Sequence, residues 1–585
     1  MKKNKYISKV FFVAFFAIGI FSCTDGFEDM NKNPNSFNDA TPEVLFAGAV
    51  KSTLDLVGGD MNDQMYNNYA SFYGGKGGQF PKFFYTDSGL DSYWRRFYVN
   101  ILKNTQEIID TYSDDPKYAN RVHIAKIWKS YVYSVLVSTF GPVPYVDALG
   151  SQTATTYTSE EAIYIAILDM LKAAGNDITV TGDKLSTDPV FNGNNLMWKK
   201  FANTLRLKIA LRISTGFPAL AQKHGEEVMA NEAGLISSNT ENIAMKWETI
   251  LENWSFNYNR YVNVPAQEDV VPFVNFHYIL NMKTYYDPRL KVIAEPSTNP
   301  ITIKDTLFKS GSTIEPRQKV VVEYKIPYFG RPIGSIVSLS DWNLNPSKNV
   351  LNGIANNRYS KPSKLLFMAQ DMKFFIVTFA ELNFMLAEAK LKGWGGSKSA
   401  EQYYYAGIDA SFQQYGVSSG VTAYKARDGV KWGTESVGDK DLFGIVTSGI
   451  SADPMDKIAR QIWLTSYNQG HDIWCLQKRT RILPLIPNFS PDTSYGLEFT
   501  DIPERMIYPI SEIGLNNAGY VAAIQALGGN TMSIPLKMNK NPKYTPDYWT
   551  SQPAAFNQEF ARKFYGESED DLKAAAVTYK IIKTL

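Results

Sequence analysis

The residues of this chain that could act on a ligand are mostly aromatic rings set among amides. Trp254, Phe256, Tyr258 and Tyr261 crowd the stretch LENWSFNYNRY at 251–261. Tyr328 and Phe329 precede Gly330, and Trp342 stands among Ser340, Asp341, Asn343 and Asn345. Tyr73 belongs to an aromatic, glycine-rich stretch from Tyr66 to Tyr85, where Gly74, Gly75, Gly77 and Gly78 predict a loop. Rings flanked by Asn, Asp and Gln can stack on sugar faces or peptide side chains while the amides bond hydroxyls or backbone. The competing reading is that large aromatics bury themselves wherever they occur. Trp94 sits between the two, because its four-residue spacing to Tyr98 suits a helix core. The candidate ligand-binding residues are therefore Trp342, Trp254, Tyr258, Tyr328, Trp94 and Tyr73. Trp128, Trp198 and Trp463 fall within amphipathic helical patterns and read as core.

Bond-breaking chemistry has little support. His123, His224, His277 and His471 are scattered, and none has a His, Cys or Asp at ligand spacing, so neither a metal nor a cofactor is expected. The sequence holds no G-x-S-x-G elbow, P-loop or H-E-x-x-H. A glycosidase needs two carboxylates across the cleaved bond. No Asp/Glu pair stands out among the 58 acidic residues. Glu381 and Glu388 lie one heptad apart on a helix, where capping or ion pairing explains them.

The elements that must position the rings are helical. Met372 to Gly416 reads as two helices packed back to back. Phe375, Phe379, Leu382, Met385, Leu386 and Ala389 recur on one face of the first, which Gly393, Gly395 and Gly396 end. Ser399 or Ala400 opens the second, with Tyr404, Ile408 and Phe412 at spacing four. Small residues, Gly407 among them, let the backbones approach. Such a pair is one unit of a tetratricopeptide-like array and cannot bury its apolar face alone. Further helices are predicted at Ala40–Val57, Asp91–Tyr112, Pro116–Phe140, Ser159–Ala174, Asn195–Ile213, Pro218–Ala233, Met455–Ser466 and Asn516–Leu527. Between Ser237 and Gln370 the helical period fades, prolines recur, and short β-like pieces such as Val320–Tyr324 appear. The fold class is thus mostly α: tetratricopeptide-like helix pairs forming a superhelical scaffold, with a long irregular insertion carrying short strands. Long irregular segments in compact proteins are often functional.

The first residues are not part of that body. Lys2, Lys3, Lys5 and Lys9 precede an apolar run, Val10 to Phe21, too short to span a membrane comfortably. It ends at Ile20-Phe21-Ser22-Cys23, a lipobox-like site that makes Cys23 the expected lipidated terminus. The other cysteine, Cys475, leaves no disulfide framework. Residues 1–22 read as a lipoprotein signal peptide, 23–39 as a flexible tether and 40–585 as a single binding domain. Loss of the four leader lysines takes the formal charge from +2 to −2, a balance not built to grip nucleic acid.

Several motifs, in order along the whole chain, carry a family resemblance. They are the lipobox at Cys23 with Asn31-Lys32-Asn33-Pro34-Asn35, then Phe140-Gly141-Pro142-Val143-Pro144-Tyr145, and Trp198 to Leu207. Asp287-Pro288-Arg289-Leu290, Glu381 to Ala389 and Gly407-Ile408 follow. Ile502 to Pro509 and Leu527-Gly528-Gly529-Asn530 complete the set. The chain resembles SusD/RagB-like nutrient-binding outer-membrane lipoproteins. It departs from their pattern at Gly470-His471-Asp472, where an acid after the glycine is more usual. The resemblance implies a non-enzymatic, lipid-anchored protein of the outer membrane, facing the cell exterior. Such a protein acts as a lid on a SusC-like TonB-dependent β-barrel, to which it delivers an oligosaccharide or peptide. Two other functions stay compatible with the residues: a helical scaffold of an envelope complex without its own small ligand, and a surface hydrolase.

Overall fold

The computed structural model describes residues 40–74, 87–146, 148–150, 155–263, 271–309, 318–331, 359–435, 451–483 and 502–540. The expectations for residues 1–39, Cys23 included, and for Trp342 lie outside them. The first half is helical: α1 (Pro42–Thr53), α2 (Asp87–Arg95), α3 (Lys103–Tyr112), α4 (Ala119–Phe140), α5 (Glu160–Asp177), α6 (Asn195–Ile213) and α7 (Pro218–Met229). A π-helical turn, Arg96–Leu102, joins α2 to α3 without a break. Between α4 and α5, strands β1 (Val143–Pro144) and β2 (Tyr157–Thr158) pair antiparallel. Helices α4, α5, α6 and α7 each pack on the next in the chain. Their starts are written in side chains: Ser159 accepts from the Ala162 N–H, and Asn194 from the Met197 N–H. Helix α4 is buried almost all round, as a central helix must be. It stops at Gly141, whose φ of +90° no other residue adopts readily, and at Pro142.

The insertion contains β3 (Ile243–Lys246), α8 (Phe276–Thr284), β4 (Ala294–Glu295), a hairpin of β5 (Ile301–Lys309) and β6 (Gln318–Ile326), then β7 (Lys361–Pro362) and β8 (Lys373–Val377). Strand β8 pairs antiparallel with β3, and β7 with β4. This corrects the reading of Met372 onward as helix. Phe374, Phe375, Ile376 and Val377 are aromatic and β-branched, residues that suit a pleated surface, and Phe375 pairs with Ala244. The helix begins after Thr378, whose hydroxyl accepts from the Glu381 N–H at 3.1 Å.

The second half holds α9 (Phe379–Leu391), α10 (Ala400–Gln414), α11 (Pro454–Thr465), α12 (Gly470–Thr480) and α13 (Asn517–Leu527). Helices α9 and α10 form the expected back-to-back pair. A Cβ on Gly407 would lie 2.6 Å from the Phe384 ring, so only glycine permits this approach. Ser399 and Gln402 close a capping box at the start of α10. Helix α12 went unpredicted. It starts where Gly470 abuts the backbone of Tyr66 and Asn67, and it buries Gln477, Lys478 and Arg479.

Buried charges stitch the halves together. Lys208 of α6 pairs with Glu381 of α9 at 3.0 Å and with Asp472 of α12 at 2.6 Å. Arg212 reaches the same Asp472 at 2.8 Å, and Arg479 pairs with Glu388. Glu381 and Glu388 are thus ion-paired within the array. The atypical His471 bonds the Ser138 hydroxyl at 2.9 Å. Arg289 clamps the insertion to α10 and α11: it pairs with Asp287 at 2.6 Å and donates to Ser411 at 2.7 Å and Gln461 at 3.1 Å. Among the described residues, no helix is long and apolar enough to cross a membrane.

Candidate functional site

Four distant segments come side by side where the described chain meets 75–86 and 332–358. Asn275 donates its N–H to Phe72 O, Gly74 to Phe273 O, Arg331 to Val274 O, Val274 to Ser360 O and Ser360 to Phe329 O, at 2.8–2.9 Å. A Cβ on Gly74 would fall 2.2 Å from Arg331 O, so a side chain there would push the segments apart. On this base the Arg331 guanidinium lies over the rings of Phe273 and Tyr359, 5.0 and 5.7 Å from their centroids. Phe329 stacks on Tyr359 at 5.8 Å. Tyr328 is half-buried beside it, where the preceding Pro327 carbonyl accepts two bonds from Ser297.

Tyr73 lies beneath this base rather than on it. Its ring is 0% exposed, its hydroxyl donates to Asn468 at 3.3 Å, and burial pushes its phenol well above the ordinary range. Tyr66, Tyr69 and Phe72 are buried too, and Asn67–Tyr69 is helical, so the described start of the expected loop is core.

Trp254 and Tyr258 form a surface pair. Ser255 fixes their segment to the chain before β8: its N–H donates to Gln370 O at 2.8 Å and its hydroxyl to Ala369 O at 2.7 Å. Asn257 adds a bond to Phe367 O. The same Ser255 oxygen accepts the Tyr258 N–H, which sets the turn that brings the two rings together. Their centroids are 5.0 Å apart with planes at 75°. The Trp254 indole N–H donates to Thr249 O at 2.9 Å, so the ring is held by its own loop while part of it stays accessible. Ile250 and Leu251 nearby in the chain are exposed. One segment connects this pair to the base: Tyr261, three residues on, donates to Asp63 at 2.6 Å beside Tyr73. The result is a pre-set, L-shaped aromatic platform. It can stack on an apolar ring face at little ordering cost.

Trp94 faces elsewhere. It is 7% exposed and packs against Tyr98, Phe140, Tyr157 and Tyr508. Its remaining edge lines a separate cleft of about 560 Å³ between α2, Pro144 and Ser511–Asn516. The structure therefore places Trp254 and Tyr258 at the surface, Tyr328 at the base, Tyr73 in the interior and Trp94 at another cleft. Phe273, Arg331 and Tyr359 escaped the sequence reading, since only long-range pairing assembles them. The described residues contain no group of three His, Cys, Asp or Glu suited to a metal.

Residues 34–309 match a family described as starch-binding and associating with the outer membrane, and residues 343–537 match the SusD and RagB outer-membrane lipoprotein family. No curated protein matches the sequence. Among solved structures, a chitin-binding protein is 24% identical with a TM-score of 0.67, over 86% of this chain and 100% of its own. A chitin-binding SusD homologue from Flavobacterium johnsoniae gives 20%, 0.67, 86% and 100%. A SusD homologue from Bacteroides vulgatus gives 20%, 0.67, 86% and 98%. These likenesses share the fold built above, and the two matched families between them take in its helical halves and, apart from residues 310–342, its insertion. The chain belongs to the SusD/RagB-like family of outer-membrane lipoproteins.

Proposed function

We propose that the protein captures an oligosaccharide at the cell surface and hands it to a SusC-like TonB-dependent β-barrel, with a lipid on Cys23 as its anchor. The observation that carries this reading is the Trp254–Tyr258 platform: two rings locked by Ser255 and Thr249, partly exposed, with Asn253 and Asn259 beside them. Rings so placed suit the apolar faces of sugars, and amides suit their hydroxyls. The starch-binding description of the matched family and the chitin-binding relatives favour a glycan over a peptide. Capture needs no bond-breaking step. A moderate affinity permits release, and the tether keeps the protein near the pore at high effective concentration.

The test is calorimetric titration of the purified protein with malto- and chito-oligosaccharides and with peptide pools. One glycan class is expected to give saturable heat, and Trp254→Ala to weaken it by about 10-fold or more, as for a buried aromatic anchor. Heat from peptides alone would overturn the glycan reading. Unchanged affinity in Trp254→Ala would move the site off this platform.

A further inference from the structure

The cleft beside Trp94 has a chemistry of its own. Its floor holds Glu512 and Asn516, 6% and 7% exposed, and its wall holds Asp91. Glu512 accepts the Tyr157 hydroxyl at 2.6 Å, and Asp91 accepts the Ser511 hydroxyl at 2.6 Å. Neither carboxylate has a cationic partner within 4 Å among the described residues, although Arg95 stands exposed at the mouth. Asn516 spends its amide N–H groups on the Thr155 carbonyl at 2.8 Å and hydroxyl at 3.1 Å. Because the Thr155 carbonyl can only accept, the Asn516 orientation is fixed. Its buried Oδ1 is left with no hydrogen-bond partner. Two carboxylates and this amide thus line one cleft. Burial pushes the Glu512 carboxyl above the ordinary range and the nearby Asp91 charge adds to it, against the hydrogen bonds from Tyr157, Trp94 and Asn516. Around this polar floor the walls are apolar: Val99 and Leu515 are largely exposed and line the same cleft.

An orphaned amide oxygen beside two carboxylates that hold only neutral donors calls for a donor-bearing ligand. Unpaired carboxylates in a partly dry cleft call for positive charge. An indole edge and two aliphatic side chains call for methylenes behind that charge. We propose that this cleft binds a cation carried on an aliphatic stem, an alkylammonium or guanidinium group, with its head between Asp91, Glu512 and Asn516 and its stem along Val99 and Leu515. A free polyamine and a lysine or arginine side chain of a peptide share this chemistry. The cleft volume, about 560 Å³, is of the size that holds small ligands. The site is distinct from the Trp254 platform, so it stands or falls independently of glycan capture.

The experiment is calorimetric titration of the purified full chain with agmatine, with the tripeptide Gly-Arg-Gly and with maltohexaose. Saturable binding of at least one of the two cations is expected. Tighter agmatine would point to a free amine, and tighter tripeptide to a peptide. Glu512→Gln, which keeps an acceptor for Tyr157, should weaken binding at least 10-fold. Arg95→Ser removes a competing cation from the exposed mouth and should tighten binding about two- to threefold, whether or not the Glu512 variant folds. Trp254→Ala should leave cation binding unchanged. No saturable binding of either cation overturns the proposal. So does displacement of agmatine by maltohexaose, or cation affinity indifferent to both Glu512→Gln and Arg95→Ser.

Discussion

Arg289→Leu should be among the most damaging single substitutions in the chain. Both Arg289 and Asp287 are at most 1% exposed. The guanidinium meets the carboxylate through Nε at 3.0 Å and Nη2 at 2.6 Å, and it lies over Phe412 at 5.0 Å. Ser411 still accepts from Thr465, and Gln461 still donates to Tyr424, although its Oε1 loses the Arg289 donor. Among the described residues, the Asp287 carboxylate keeps only a backbone N–H from residue 289. The cost is therefore dominated by one uncompensated buried carboxylate, about 3–5 kcal/mol. Neutralising it should recover much of that loss, so Asp287→Asn combined with Arg289→Leu should be more stable than Arg289→Leu alone. Urea unfolding followed by tryptophan fluorescence measures all three proteins. A loss below about 1 kcal/mol for Arg289→Leu, or a double variant no more stable than the single, would refute the argument.

Three further outcomes are expected. Burial pushes the Glu160 carboxyl up to about 7, against an ordinary 4.5, despite the Lys537 N–H and nearby lysine charges. The folded state thus holds this proton more tightly than the unfolded chain, and stability should fall by about 3 kcal/mol as pH rises from 4.5 through 7. Glu160→Gln should flatten that fall, which urea midpoints at pH 5 and pH 8 would reveal. Gly470→Ala places a Cβ 2.4 Å from the Asn67 nitrogen and should cost about 1–3 kcal/mol, read as a lowered Tm. Cys23→Ala should move the protein from the membrane fraction to the soluble one, and retention in the membrane would contradict the lipid anchor.

The helices were legible where side chains mark their ends. Ser159, Asn194 and Ser399 cap α5, α6 and α10 as residue type predicts. Phe374 to Val377 misled because a short apolar run fits either period, and only pairing with β3 makes it a strand. Helix α12 was hidden because Lys478 and Arg479 look solvent-facing, yet one donates to Ser138 O and the other pairs with Glu388. The scattered motifs make sense once folded. Arg505 donates to Phe140 O, Tyr508 to Pro142 O, and Asn530 accepts from both Arg505 and the Tyr508 N–H. Three sequence fragments are one contact. The placement of Trp254 and Tyr258 at the surface agrees with their polar surroundings in the sequence. The place of Tyr73 was not legible, because its burial under Asn468 and Tyr467 depends on chain nearly four hundred residues away.

The paired base made by 72–74, 273–275, 329–331 and 359–360 also sets an order of events. Its first and last segments are far apart in the chain, so no early fragment can complete it. Local helix pairs such as α4 and α5 can form as soon as their residues are free, whereas this base must wait for closure of a very long loop. The aromatic face is therefore among the last parts of the molecule to mature, and a chain arrested before residue 360 would be helical yet unable to present it.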